Sequence, residues 1–188
     1  MASNNTVIDL VTIDAARIND VCRLYFLWKD LNTGLRSYVS RGINFPDAIS
    51  EPMGCFSLGY SWNKGSGGDA ITPDGQVVEM KATSNFHGDL TSFGPVTTFD
   101  RLVFLRLDSR LNMLYIYDLN LNGDTLGDLP VNAKETIRDQ QLQGRRPRLS
   151  IIKQVIEPLE LDPVAIFDIR TMQVARPDSD NTGLQIQE

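Results

Sequence analysis

The stretch of residues 69–83 constrains the fold of this chain more than any other part of its sequence. A loop rich in proline and glycine, residues 73–75, separates two short runs, and apolar and polar residues alternate along the second run. The apolar members are Val78, Met80 and Ala82, and the polar members are Glu79, Lys81 and Thr83. A period of two is typical of a strand with one buried face, and such a loop is typical of a β-hairpin. The sequence therefore predicts a hairpin whose second strand carries Glu79 and Lys81 on its open face.

The register of this hairpin places charged side chains together. If the loop is residues 73–75, with Gly75 in a left-handed conformation, Asp69 lies directly opposite Glu79. Opposed residues of an antiparallel pair project to the same face with Cβ atoms about 5 Å apart, and Lys81 follows Glu79 on that face. A two-residue loop would break this opposition, so the prediction depends on the type of turn. With the three-residue loop, two carboxylates and one ammonium form a local cluster.

The chemistry of this cluster favours a metal-dependent hydrolase. Two carboxylates at this separation repel each other unless a cation lies between them, and their oxygen atoms are ligands that suit Mg2+. Mg2+ keeps some waters that a substrate phosphate can displace, and the lysine can orient or deprotonate a water or stabilise charge on phosphorus. The cluster is therefore equipped for phosphodiester hydrolysis. The alternative is a solvated strand face on which Glu79 and Lys81 form a surface ion pair.

Periodic patterns elsewhere predict the helices and strands around the hairpin. A helix over residues 15–32 follows Asp14, which can cap it, and apolar residues recur along it at spacings of three and four. Its apolar face consists of Ile18, Val21, Cys22, Tyr25 and Trp28. Further helices are predicted near residues 35–41, from residue 45 with an interruption at Pro52, and over residues 131–143 between Pro130 and Gly144. Strands are predicted over residues 101–107, 111–119, 146–156 and 164–169, with strand or helix left open for residues 151–156.

These elements predict the α/β class, with a mixed central β-sheet flanked by the 15–32 and 131–143 helices. A chain of 188 residues fits one domain, with a core of about residues 14–170 and a polar tail of about residues 176–188. Two cysteines and one histidine exclude a disulfide scaffold and a multi-histidine zinc site. Since no apolar run approaches the roughly 20 residues that cross a bilayer, and no basic residue precedes Arg17, we expect an untargeted cytoplasmic protein with no membrane segment.

A basic stretch is present in a chain whose net charge is −6. Residues 134–153 carry six basic side chains against two acidic ones, which suggests a surface that faces an anion. The basic residues are Lys134, Arg138, Arg145, Arg146, Arg148 and Lys153. A strand here would send Arg146, Arg148 and Ser150 to one face while Leu149 and Ile151 anchor the other. Such arginines can read guanine edges in a major groove or neutralise phosphates, and a solvated basic turn is a third alternative.

The residues around the hairpin resemble the PD-(D/E)XK nucleases. Asp69, a hairpin and then Glu79-Met80-Lys81 are similar to the metal-binding and catalytic signature of that superfamily. The flanking residues 62–68 and 82–86 resemble small type II restriction endonucleases, closest to the subfamily that cuts the interrupted palindrome GCNGC. The resemblance spans about residues 45–153, and it departs from the superfamily pattern at Gly68, where the superfamily name has proline.

Carried over residue by residue, the resemblance implies a restriction-endonuclease-like core in which Asp69 and Glu79 bind Mg2+ and Lys81 is catalytic. It makes Glu51 a candidate supporting carboxylate and metal ligand, although a glutamate favoured by the dipole near a helix start would look the same. The residues expected to contact DNA are Arg145, Arg146, Arg148 and Ser150 in the basic stretch, and Thr83, Ser84 and Asn85 after the catalytic strand.

We therefore expect a Mg2+-dependent type II restriction endonuclease that hydrolyses both strands of double-stranded DNA at a short, palindromic, GC-rich site. A palindromic target matches a two-fold symmetric homodimer with one active site for each strand. Two alternatives stay open at this point. One is a structure-specific or DNA-repair nuclease of the same superfamily, and the other is a non-catalytic DNA-binding protein.

Overall fold

The fold of the chain is described from a computed structural model, for residues 7–40, 42–95 and 98–177. The strands, numbered along the chain, are β1 (Leu10–Val11), β2 (Ser61–Asn63), β3 (Ala70–Ile71), β4 (Val77–Thr83), β5 (Thr91–Ser92), β6 (Arg101–Asp108), β7 (Met113–Asp118), β8 (Arg148–Leu149), β9 (Ala165–Asp168) and β10 (Gln173–Ala175). The helices are α1 (Ala15–Arg36), α2 (Asp47–Leu58), α3 (Gly123–Gly127) and α4 (Ile137–Leu142), and a π-helical segment covers Ile152–Ile156. Most of the predicted tail, residues 178–188, lies outside the described residues.

Within the described residues, a mixed eight-stranded sheet forms the centre of the molecule. Its strand order is β1-β2-β3-β4-β6-β7-β9-β10, and β5 pairs with β8 in a separate two-stranded sheet. β4 and β6 run parallel, whereas the other neighbours in the large sheet are antiparallel. The predicted α/β class with a mixed central sheet is therefore confirmed.

The middle of the sheet, at β6, is buried on both faces. On one face α1 and α2 pack against Val103, Leu105 and Leu107 of β6, and on the other face Leu102 and Phe104 pack under α3, α4 and the π-helical segment. A strand that is apolar on both sides belongs in the middle of a sheet, as the nearly continuous apolar run over residues 101–107 predicts. The strands predicted over residues 111–119 and 164–169 are also confirmed, as β7 and β9.

Helix α1 agrees with its sequence pattern at the start and extends beyond the prediction at the end. The Asp14 carboxylate accepts a hydrogen bond from the amide of Arg17 at 2.8 Å, and the five residues of the predicted apolar face are the buried ones. The helix continues to Arg36, because Gly34 keeps a helical conformation and its carbonyl accepts the capping amide of Ser37. The expected end near residues 32–34 and the separate helical piece after it are therefore wrong.

The expected interruption at Pro52 is also wrong, because α2 continues through it. Proline removes one amide donor from the helix interior and normally weakens it. Burial of Ile49, Met53 and Cys55 against the sheet compensates for the missing hydrogen bond. The helix begins after Pro46, as predicted, and this continuity keeps Glu51 on a helical turn beside the hairpin.

Two predictions in the basic region need correction. The helix expected over residues 131–143 is reduced to α4, because Asn132 accepts the amides of Lys134 and Glu135 in a tight turn. Thr136 and Asp139 then start α4 with a reciprocal capping box. The strand expected over residues 146–156 is limited to β8, and residues 152–156 are helical instead.

Candidate active site

The hairpin has the register that its sequence predicts. Ala70 pairs with Val78 and Ile71 with Val77, so the connection is the three-residue loop 73–75 closed by Thr72 and Gln76. Gly75 has a φ of 89°, the left-handed conformation that this loop requires. The buried face of β4 carries Val78 and Met80, and Ala82 is half-buried on the same side. The prediction of an apolar face opposite Glu79 and Lys81 is thus confirmed.

Asp69 lies one residue before β3 and is held by its own backbone. Its amide donates to the carbonyl of Val78 at 2.8 Å, and its carbonyl accepts the amide of Asn63 at 2.9 Å. Its carboxylate accepts the amide of Met80 at 2.7 Å, which places it alongside β4 between Glu79 and Lys81. The preceding Gly68 has a φ of 103°, which is closed to proline, so the departure from the superfamily pattern has a structural reason.

Glu79 and Lys81 form a close ion pair on the open face of β4. The Nζ atom of Lys81 lies 2.5 Å from Oε1 of Glu79, with the two side chains 25% and 20% exposed. Burial alone would lower the pKa of Lys81, but the charge and hydrogen bond of Glu79, together with Asp69, raise it above its ordinary value. Lys81 therefore carries a positive charge among carboxylates.

A third carboxylate, Glu51, reaches the same place from α2. Its Oε2 atom accepts the indole N–H of Trp62 at 2.8 Å, which fixes the side chain against β2. Burial, followed by the charge of Asp69, raises the pKa of Glu51 to about 7. Burial, followed by the charge of Glu79, raises the pKa of Asp69 to about 6. Helix and hairpin thus gather acidic groups that resist ionisation in the absence of a cation.

These groups line one end of a cleft of about 1010 Å³. Glu51, Asp69 and Lys81 lie in its wall, and Glu79 is joined to them through its ion pair with Lys81. The rest of the wall includes three basic side chains, Arg36, Arg146 and Lys153, and the polar residues Thr83, Ser84, Asn85 and Ser150. Five of the seven residues expected to contact DNA therefore share one cleft with the acidic group.

The other two arginines that were expected at the DNA have different surroundings. Arg145 forms an ion pair with Glu135, on the side of α4. Arg148 is exposed on β8, where it pairs with Ser92, and it is not among the residues that line the cleft. The expected alternation is nevertheless present, because Leu149 and Ile151 are buried while Arg146 and Arg148 are exposed.

Asp89 is a cleft residue that the sequence patterns do not reveal. Its carboxylate accepts the hydroxyls of Thr91 and Ser150 at 2.6 and 2.7 Å, and the amides of Ile151 and Ile152 at 2.9 and 3.0 Å. The hydrogen bonds from these two amides cap the helical turn that begins at Ile151. Because Ser150, Ile151 and Ile152 are about sixty residues away from Asp89, no local pattern marks this role.

The chemistry of the donor set suits a magnesium ion. Mg2+ prefers carboxylate oxygens and commonly uses one or two of them, with waters and substrate phosphate completing its shell. Among residues 7–40, 42–95 and 98–177, no group of three or more histidine, cysteine, aspartate and glutamate side chains forms a ready metal site. Asp69 and Glu79, whose charges interact on the hairpin, offer two carboxylates of the kind that such an ion uses.

A mixed sheet with this hairpin and helices packed on both faces defines a restriction-endonuclease-like protein. The model of the Bsp6I restriction endonuclease family matches residues 13–158. The type II restriction enzyme Bsp6I of Bacillus sp. (strain RFL6) is 47% identical over 169 residues, which cover 89% of this chain and 97% of that enzyme. The chain belongs to the Bsp6I restriction endonuclease family. The expectation of a restriction endonuclease is confirmed, and within the described ranges no helix combines the length and apolar character of a membrane span.

Proposed function

We propose that this protein is a Mg2+-dependent type II restriction endonuclease of the PD-(D/E)XK kind, which cuts both strands of duplex DNA at a short palindromic site. Its 47% identity to the type II restriction enzyme Bsp6I supports the class of enzyme. The observation that carries the proposal for the site is the meeting of Glu51, Asp69 and Lys81 in one cleft whose lining also includes Arg36, Arg146 and Lys153. The resemblance to the GCNGC subfamily supports a GC-rich target of that form.

In this proposal, Asp69 and Glu79 hold the metal ion and Glu51 supports it. When bound, Mg2+ supplies positive charge to the scissile phosphate and lowers the pKa of water. Asp69 is suited to the role because three backbone hydrogen bonds fix its position. Trp62 fixes the position of Glu51, because its indole N–H binds one carboxylate oxygen and leaves the other oxygen available.

Lys81 acts through its charge. The raised pKa of Lys81, with Glu79 and Asp69 opposing the effect of burial, favours the ammonium form over the free amine. A protonated lysine stabilises the negative charge that develops on the phosphate during attack, and it can orient a water. We therefore propose electrostatic stabilisation as its role, with deprotonation of a water as the alternative.

The basic and polar side chains of the cleft are proposed to bind DNA. Arg146 and Lys153 both line the cleft, Thr83 ends the strand that carries Lys81, and Ser84 and Asn85 follow it directly. A side chain of residues 83–85 that contacts a base would keep a fixed position relative to Lys81, because both belong to one continuous piece of chain. We assign base reading to Arg146, with phosphate contact as the alternative that binding measurements decide.

Digestion of plasmid DNA in the presence of Mg2+ tests the proposed function. We expect discrete fragments whose ends map to one short sequence, and no cleavage after addition of EDTA. Nicks or a smear would indicate a structure-specific or repair nuclease instead, and intact DNA in every divalent metal would indicate a binding protein. Sequencing of the fragment ends then compares the cut site with GCNGC.

A further inference from the structure

Helix α1 carries a second apolar stripe next to its buried face, and only the buried face is covered within the described residues. Its inner face, which includes Ile18 and Tyr25, is buried against the sheet. On its outer face, Leu24, Leu27 and Leu31 are 47%, 61% and 56% exposed. A contiguous apolar stripe on a helix is normally buried against another element, so the outer face calls for a partner.

The exposed side chains form a continuous stripe. Leu24, Leu27, Leu31 and Leu35 follow each other at spacings of three and four, so they occupy one side of the helix, and we call them the outer leucine face. Other exposed leucines, such as Leu142 on α4, do not belong to such a series. Scattered apolar residues are common on protein surfaces, whereas a contiguous patch marks an interaction site.

We propose that the outer leucine face joins two copies of this chain, with the two α1 helices antiparallel across a two-fold axis near Leu27. This inference deepens the proposed function, cleavage of both strands at a palindromic site, and rests on it for the biological use of the dimer. The occupant is a second copy because the face is complementary to itself. In the antiparallel arrangement, Leu24 meets Leu31 of the partner subunit, and the reverse contact follows by symmetry.

The charges beside the stripe support this pairing. Arg23 and Asp30 are both exposed, and both lie on the same flank of the outer leucine face. Arg23 also lies 3.9 Å from Asp20 of its own helix, and its side chain is still 74% exposed. Arg23 and Asp30 are also nearly equidistant along the helix from Leu27. An antiparallel pair brings equivalent flanks together, so Arg23 faces Asp30 of the partner subunit, and two ion pairs border the leucines. A parallel pair would bring opposite flanks together, so Arg23 and Asp30 would not face each other across it.

The outer leucine face lies close to the cleft, so a dimer formed through it would bring two clefts near each other. Helix α1 ends at Arg36, which lines the cleft, and the chain then continues along the cleft through Ser40 and Asn44. From Leu27 to Arg36 the helix advances only about 14 Å, so the axis lies near both clefts. A duplex crossing the two-fold axis can therefore present one strand to each catalytic group.

The oligomeric state of the purified protein tests the inference without DNA or metal. Sedimentation equilibrium in EDTA should give a dimer for the wild type and a monomer for Leu27→Glu, with self-association at least a hundredfold weaker. The matched control is Leu142→Glu, which places the same charge on another exposed leucine and should leave the dimer intact. Circular dichroism should be unchanged in both variants, because neither side chain is in the core.

A charge exchange tests the direction of the helices. Arg23→Glu and Asp30→Arg should each weaken self-association about tenfold, and the double variant should restore it. As a second measurement independent of folding effects, Leu27→Cys should form a disulfide between copies on mild oxidation, since Cys22 and Cys55 are buried. Leu142→Cys should not.

Two results would overturn the proposal. One is a wild-type protein that is monomeric at micromolar concentration, and the other is a Leu27→Glu variant that remains as dimeric as the wild type. Because these readouts need neither substrate nor Mg2+, they are separate from the test of function. A protein that cuts DNA specifically but ignores Leu27→Glu rejects this interface alone, and an α1-linked dimer that never cuts DNA rejects the proposed function alone.

Discussion

The hairpin of β3 and β4 and the basic segment of residues 143–156 form two walls of the same cleft, but they acquire their conformations in different ways. In the hairpin, the turn, the register and the alternation of faces all depend on residues within fifteen positions of one another. In the basic segment, the carboxylate of Asp89, about sixty residues away, caps a helical turn and ends the strand. Local sequence therefore specifies the proposed catalytic group, and long-range hydrogen bonds specify the opposite wall.

The largest expected effect separates the chemical role of the hairpin from its structural role. Lys81→Ala should lower cleavage by about 10²- to 10⁴-fold, because it removes the charge next to the scissile phosphate. The apolar face of β4 stays intact, so the melting temperature should stay within a few degrees of wild type. Lys64→Ala, which removes an exposed lysine paired with Asp9, is the control and should cut DNA normally. A Lys81→Ala variant that melts far below wild type would mean that this lysine is structural.

The next largest effect is expected at Asp89, whose hydrogen bonds hold residues 150–152 from a distance of about sixty positions in the chain. Asp89→Ala removes the acceptor of two amides and two hydroxyls, and it should destabilise the protein by about 2 to 4 kcal/mol. Asp89→Asn keeps one acceptor oxygen and should fall between that variant and wild type. Urea unfolding measures both. If Asp89→Ala is as stable as wild type, the basic segment holds its shape without this anchor and the contrast between the two walls is wrong.

The arginines of the basic segment provide a graded comparison within four residues. Arg146→Ala should weaken binding to the specific site by about 1 to 3 kcal/mol if it reads a guanine, with little change on scrambled DNA. Arg145→Ala and Arg148→Ala should have smaller effects, because Arg145 is paired with Glu135 and neither residue lines the cleft. Titrations of cognate and scrambled duplexes at two salt concentrations decide the matter. Equal losses on both duplexes, with a smaller salt slope, would assign Arg146 to phosphates.

The smallest effect is a pH dependence of stability in EDTA. Burial and the neighbouring acids raise the pKa of Glu51 to about 7 in the folded protein, so the folded state binds this proton more tightly than the unfolded chain. The resulting loss of stability develops as pH rises from about 4.5 to 7 and is complete above pH 7. Glu51→Gln, which still accepts the Trp62 hydrogen bond, should therefore be more stable than wild type by about 1 to 2 kcal/mol at pH 8.

At pH 4 the Glu51→Gln variant and the wild type should have the same free energy of unfolding, since Glu51 is then protonated in both states. A variant that is less stable than wild type at both pH values would show that the carboxylate is not strained by its surroundings. Asp69, whose pKa is raised to about 6, contributes in the same direction at slightly lower pH.

The sequence predicts the parts of the fold that short-range physics controls. Asp14 caps α1, residues 77–83 form one strand, and the loop of residues 73–75 sets the register, as expected. Prediction from the sequence fails, or leaves alternatives open, where contacts between distant residues determine the structure. The packing of α2 against the sheet carries that helix through Pro52. For residues 151–156 the sequence leaves strand or helix open, and the hydrogen bonds of the Ile151 and Ile152 amides to Asp89 cap a helical turn there.

The same division holds within the candidate site. Asp69, Glu79 and Lys81 come from one hairpin, and their proximity follows from strand geometry. Glu51 joins them through the packing of α2, and its hydrogen bond to Trp62 depends on a strand that no short pattern in residues 61–63 predicts. The distinction between Arg146 in the cleft and Arg145 beside Glu135 is likewise a property of the folded chain.

The proposal that Asp69, Glu79 and Lys81 of the hairpin cleave DNA is tested most directly by one matched pair of variants. Asp69→Asn removes a charge at the proposed metal site, whereas Asp74→Asn makes the same change at the exposed turn of the same hairpin. Single-turnover cleavage in Mg2+ should be lost in Asp69→Asn and retained in Asp74→Asn, while both variants bind the specific duplex in Ca2+. Cleavage by Asp69→Asn at near the wild-type rate would contradict the assignment of the site.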